Sequence, residues 1–104
     1  GNITAALGEE VHLGCRYLGE NQIKSAHWKR QISKGVIKRL AGFSHGRPYS
    51  RSDLSVPASP TNLTVSMNVS SVEAEGMYHC EFEEEDESFF DFVFVIVVVQ
   101  PDVQ

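Results

Sequence analysis

A chain of 104 residues, 41% hydrophobic and 10% aromatic, has the size and composition of one globular domain and is too short for two. Its formal charge of −5 hides a division: all nine Lys and Arg fall between Arg16 and Arg51, where Glu20 is the single acid, whereas Ser52 to Gln104 holds eleven acids and neither Lys nor Arg. That layout excludes a uniformly basic surface for nucleic acid or anionic lipid and leaves opposed patches suited to a charged protein partner.

In chain order, Val11, Leu13 and Cys15 share one face of a first strand, with His12 and Gly14 on the other. A second strand surrounds Trp28 between Ile23 and Ile32, and Ser33-Lys34-Gly35 turns the chain into Val36 to Phe43. After Gly42, Gly46 and Pro48 comes a less regular segment. Leu63-Thr64-Val65-Ser66-Met67-Asn68-Val69 then alternates with a period of two residues over its whole length. Met77 to Glu83 carries the second cysteine, an acidic run occupies Glu83 to Glu87, and Phe89 to Val99 forms the last strand. Short alternating runs separated by Gly, Pro, Ser and Asn, without a 3.6-residue stripe, predict an all-β sandwich or barrel.

No stretch reaches the roughly 18 apolar residues that a membrane-spanning helix needs, and the most apolar piece, Phe92 to Val99, reads as a strand rather than an anchor. The first residues have neither a basic run nor an apolar signal core, so the sequence reads as a processed or excised ectodomain with no membrane insertion of its own. Sequons stand at Asn2-Ile3-Thr4, Asn62-Leu63-Thr64 and Asn68-Val69-Ser70, none with proline in the middle. Together with just two cysteines, far apart, they point to the secretory route. On spacing alone Cys15 and Cys80 are either bonded or a pair of buried thiols; no CxxC or Cys/His cluster suggests zinc.

Cys15, Trp28 and Cys80, with Tyr78 two residues before the second cysteine, follow the order and spacing of immunoglobulin domains. With Leu7-Gly8-x-x-Val11-x-Leu13-x-Cys15, Trp28-Lys29-Arg30-Gln31 and Glu75-Gly76-Met77-Tyr78-His79-Cys80, the chain resembles the immunoglobulin superfamily over nearly its whole length. The resemblance implies an all-β, immunoglobulin-like, variable-type two-sheet antiparallel sandwich over residues 1–104. The cysteine separation leaves room for the extra C′ and C″ strands, a Cys15–Cys80 disulfide joins strands B and F of opposite sheets, and Tyr78 is the tyrosine of the E–F corner. The aspartate that family members carry six residues before the second cysteine is Ala74 here. Glu73 or Glu75 is expected to take its place opposite Arg30 or Arg51. The last strand has no glycine bulge, which argues against an antigen-receptor domain. Phe43-Ser44-His45-Gly46-Arg47-Pro48-Tyr49-Ser50-Arg51 is similar to the C′–C″ region of cell-surface receptors of the nectin and poliovirus-receptor group, although that group's Thr-Gln before the tryptophan and its Tyr-Pro-x-Gly loop are missing.

What this implies is an extracellular recognition module, the ectodomain of a single-pass cell-surface receptor or adhesion protein. It would bind a protein partner, or a second copy of itself as a homodimer, through the outer face of the G-F-C-C′-C″ sheet. The alternatives are a spacer domain in a longer ectodomain and homophilic adhesion through that same face. The expected contact residues are His27, Lys29, Phe43, His45, Arg47, His79, Glu84, Glu85, Asp86, Phe89 and Phe90, with Lys38 and Arg39 adding basic charge. The last strand is apolar on both sides, so either Phe90, Phe92 and Phe94 or Phe89, Val93 and Val95 lie on the exposed face. His27 and His79 are expected to point outward from neighbouring strands, as surface residues of that face in preference to a metal pair or a pH sensor. Glu83 to Glu87 lacks the spaced ligands and turn glycine of a calcium loop. Catalytic residues, metals and cofactors are not expected. Of the glycosylation candidates Asn2, Asn62 and Asn68, the last two are expected to project from the A-B-E-D sheet, leaving the other face bare.

Overall fold

A computed structural model describes residues 1–51 and 53–99; Ser52 and the stretch from Gln100 to Gln104 lie outside the described residues. The strands are β1 (Asn2–Ala6), β2 (Glu10–Leu13), β3 (Ser25–Ser33), β4 (Val36–Ser44), β5 (Arg47–Ser50), β6 (Val65–Asn68), β7 (Gly76–Glu83) and β8 (Ser88–Val98), with one 3-10 turn at Val72–Ala74. Six form one sheet in the order β1-β8-β7-β3-β4-β5, and β2 pairs with β6 in the other. The period-two runs explain the layering, because every second residue of a strand faces the same side. Trp28, Tyr78, Cys80, Phe82, Val93 and Val95 come inward from the large sheet to meet Val11, Leu13, Leu63, Val65, Met67 and Val69. Each fully buried Leu or Val contributes about 1.5–3 kcal/mol relative to exposure.

Specific ties hold the layers in register. Cys15 and Cys80 form the disulfide between them. In the chain-entropy description, closing a loop of this length stabilises the domain by about 4 kcal/mol. The Trp28 indole N–H donates to the Leu63 carbonyl across the core, so the ring is anchored as well as packed. The Tyr78 hydroxyl donates to the Ala74 carbonyl, as the corner motif implies.

Some details depart from expectation. β1 runs parallel to β8, with Asn2 opposite Phe94 and Ala6 opposite Val98, so the sandwich contains one parallel pair. β5 forms where the resemblance implies the C″ strand: His45 and Gly46 both have positive φ, 52° and 77°, the geometry of a primed two-residue turn whose twist suits a hairpin. Pro48 is tolerated because β5 lies at the sheet edge. The arginine pairing is corrected too. Arg30 donates to the carbonyl oxygens of Glu73 and Glu75 and to the Tyr78 hydroxyl, with its guanidinium 4.9 Å from the Tyr78 ring centre. Arg51 donates to the Arg39 carbonyl. With Ala74 in the aspartate's position, backbone carbonyls in the 3-10 turn and just after it receive Arg30 instead of a carboxylate.

Candidate functional site

Core-facing Trp28, Tyr78, Cys80, Val93 and Val95 fix the parity of the large sheet, so the residues between them form its outer face. Cross-strand register arranges that face in rows. Ser25, Glu83 and Ser88 lie next to the loops at one end. The next row runs Tyr49, Gly42, His27, Glu81 and Phe90 over β5, β4, β3, β7 and β8. Below it come Arg39, Lys29, His79 and Phe92. The last brings Met77, Phe94 and Asn2 side by side.

The centre of the face is polar but closed. Lys29 pairs with Glu81, the two side chains only 16% and 10% exposed. His27 is 1% exposed, and its Nδ1 lies 2.7 Å from the Tyr49 hydroxyl, which reaches it over Gly42. Burial, then the nearby Arg39 and Lys29 charges, lower the His27 pKa, with Glu83 and Glu81 opposing. Burial and Lys29 lower that of His79. Burial raises the Tyr49 pKa.

Beside this centre the β8 side of the face is apolar. Phe90 and Phe92 are 55% and 50% exposed, Met77 is 48% exposed, and Phe94 is half-buried in line with them. The His79 ring sits between Phe90 and Phe92, with centroids 6.3 Å and 5.8 Å away. The outward-facing set is therefore Phe90, Phe92 and Phe94, while Val93 and Val95 go to the core.

The expected contact residues divide accordingly. His79, Phe90 and Lys29 are on the face, Lys29 neutralised by Glu81. Phe43 is 8% exposed and belongs to the core, because it pairs with inward-facing Ala26. Its place as an exposed anchor is corrected. His27 has the outward parity expected of it but is roofed by Tyr49, so it is no exposed contact. Phe89 follows the inward parity of β8 and packs on Tyr17 at the loop end, centroids 5.8 Å apart, remaining part-exposed. Glu84 is taken up by the Tyr17 hydroxyl and the Asn21 side chain, which fastens the loop after β7 to the loop before β3. Glu85 makes a loose exposed pair with Lys24 at 3.8 Å, worth little in water, and exposed Asp86 and Glu87 complete the acidic loop. His45 and Arg47 are exposed at the opposite edge, His45 fixed in the turn before β5. Asn68 points away from the core on β6 and Asn62 shares its parity, whereas Asn2 stands on the large sheet.

Sequence reasoning passed over Met77, Glu81 and Tyr49. The parity of Tyr78, Cys80 and Phe82 already assigned Met77 and Glu81 to the outer face; Tyr49 carried no such signal. Among the described residues no group of three or more His, Cys, Asp or Glu is arranged to hold a metal ion. No helix there is long and apolar enough to cross a membrane. An open groove beneath β5 is lined by Arg30, Arg39 and Arg51 together with Asp53 and Glu73, a mixed set that offers no single-sign cradle for a cofactor.

Two face-to-face sheets tied by one disulfide behind a buried tryptophan, with C′ and C″ strands present, define a variable-type immunoglobulin domain. Residues 1–99 match the immunoglobulin V-set domain model, and the chain belongs to that family. No curated protein sequence matches it. Similar solved structures include Tim-1, at 16% identity with a TM-score of 0.76, covering 100% of this chain and 97% of that one. The second immunoglobulin domain of the mouse polymeric immunoglobulin receptor has 14% identity and a TM-score of 0.75, covering 97% of each chain. A bovine butyrophilin has 18% identity and a TM-score of 0.72, covering 96% of this chain and 52% of that one. At such identities the likeness speaks for the fold.

Proposed function

We propose that this domain is an extracellular recognition module of a cell-surface receptor or adhesion protein, binding a protein partner through the outer face of its six-stranded sheet. The observation that carries the reading is the outward-facing stripe of exposed Phe90, Phe92 and Met77 with half-buried Phe94, beside a centre whose polar groups are already partnered. Such a face loses little on desolvation and offers apolar anchors, which is the composition of an interface core. A polar spacer would have no use for those rings. Receptor chains among the similar structures, such as the polymeric immunoglobulin receptor, are compatible with this reading. A binding screen of the purified domain against cell-surface ectodomains tests it, with a partner lost on Phe92→Asp expected.

The charge layout supports a second copy of the chain as one such partner. Acidic Glu85, Asp86 and Glu87 lie at the loop end on the β8 side of the sheet, and His45 and Arg47 lie at the same end of the β5 edge. A two-fold axis in the interface, parallel to the strands, exchanges those sides while keeping the loop ends together, so each acidic loop meets the other copy's turn. Sedimentation of the wild type and of Arg47→Glu at low and high salt tests this. Salt-sensitive dimers weakened by the substitution are expected, and monomers throughout would remove it.

A further inference from the structure

Only one of the sequons, Asn2-Ile3-Thr4, lies on the six-stranded sheet; the other two accompany β6 on the opposite sheet. On β1, Ile3 and Ala5 turn inward beside Val95 and Val97, which sends Asn2 outward and leaves it exposed. The Asn2 backbone is register-paired with Phe94, and Phe94 with Met77, so the three stand in one row with neighbouring strands about 4.8 Å apart. A sugar on Asn2 therefore begins one strand spacing from the lower end of the apolar stripe. The electron-rich face of a phenyl ring attracts polarised C–H groups, and a pyranose presents such a C–H face while keeping its hydroxyls in water.

We propose that Asn2 is an N-glycosylation site and that its glycan covers the Phe94–Met77 end of the outer face, confining any protein partner to Phe90, Phe92, His79 and the adjoining loops. This rests on the reading that the face binds protein, but it is tested on the domain alone. It also changes the expectation of one sugared and one bare face: sugars stand on both, and on the binding face they mark one end.

The chain supplies its own reporter, because its two methionines differ: Met77 is 48% exposed in the Asn2 row and Met67 is 3% exposed in the core. The N62Q/N68Q double variant, secreted from animal cells, carries Asn2 as its single remaining sequon. Glycopeptide mapping is expected to find Asn2 modified. Removing the sugar enzymatically from the folded protein is expected to raise the rate of Met77 oxidation by hydrogen peroxide severalfold while Met67 stays slow. If the double variant does not fold, wild type and N2Q are compared in the same assay. Unmodified Asn2 in secreted protein overturns the proposal, and so does a modified Asn2 whose removal leaves Met77 oxidation unchanged. Neither result bears on whether the face binds a protein, which the ectodomain screen reads separately.

Discussion

The Tyr49 hydroxyl meets Nδ1 of His27 at 2.7 Å by passing over Gly42, the residue between them on β4. A Cβ on Gly42 would stand 2.1 Å from the Ala26 carbonyl oxygen and 2.9 Å from the His27 Cα, both backbone atoms that cannot swing aside. Gly42→Ala is expected to destabilise the domain by at least about 2 kcal/mol, read as a fall in the denaturant midpoint at constant slope.

Burial of His27 sets a pH dependence. Its folded-state pKa lies below the ordinary value of about 6.5, chiefly through desolvation and then through Arg39 and Lys29. The unfolded chain therefore takes up the proton first as pH falls, so stability is untouched above that value and is lost below it, down through the folded pKa. His79 acts in the same direction. Urea unfolding between pH 7.5 and 5 is expected to show declining stability, with a shallower decline in His27→Asn that retains the share due to His79.

Arg30 reads backbone rather than carboxylate. Arg30→Ala removes its hydrogen bonds to the Glu73 and Glu75 carbonyls and to Tyr78, and is expected to cost about 1–2 kcal/mol. Glu73→Gln keeps the carbonyl and is expected to change stability by less than about 0.5 kcal/mol. A carboxylate salt bridge would make the two substitutions equally costly, so paired thermal or chemical denaturation separates the two pictures.

How much of this was legible in the sequence varied with how far each feature depends on neighbours. Cys15, Trp28, Tyr78 and Cys80 announce themselves because a disulfide, an indole and a corner hydroxyl each demand one residue type at one place. Alternation in Leu63 to Val69 was equally plain, although the ladder itself covers only Val65–Asn68. Phe43 and His27 were misplaced for different reasons. An extra residue at Leu40, opposite the Trp28–Lys29 step, resets the parity of β4 and turns Phe43 inward, and no local composition flags that bulge. The roof over His27 comes from Tyr49, twenty-two residues away, and depends on β5 pairing with β4, which nothing near His27 signals. β1 was missed because its inward set, Ile3 and Ala5, is short and weakly apolar; with it went the position of Asn2 beside Phe94.

The central claim is that the outer face of the six-stranded sheet is where this domain binds. The direct measurement is the affinity of any partner found in the ectodomain screen, the domain itself included, for folded Phe90→Ala and Phe92→Ala variants. The comparison is His12→Ala, which alters an exposed residue on β2 of the opposite sheet. The account predicts that one or both phenylalanine substitutions weaken binding by roughly 1–4 kcal/mol while His12→Ala leaves it unchanged. Full affinity in both phenylalanine variants, together with loss in His12→Ala, would contradict it.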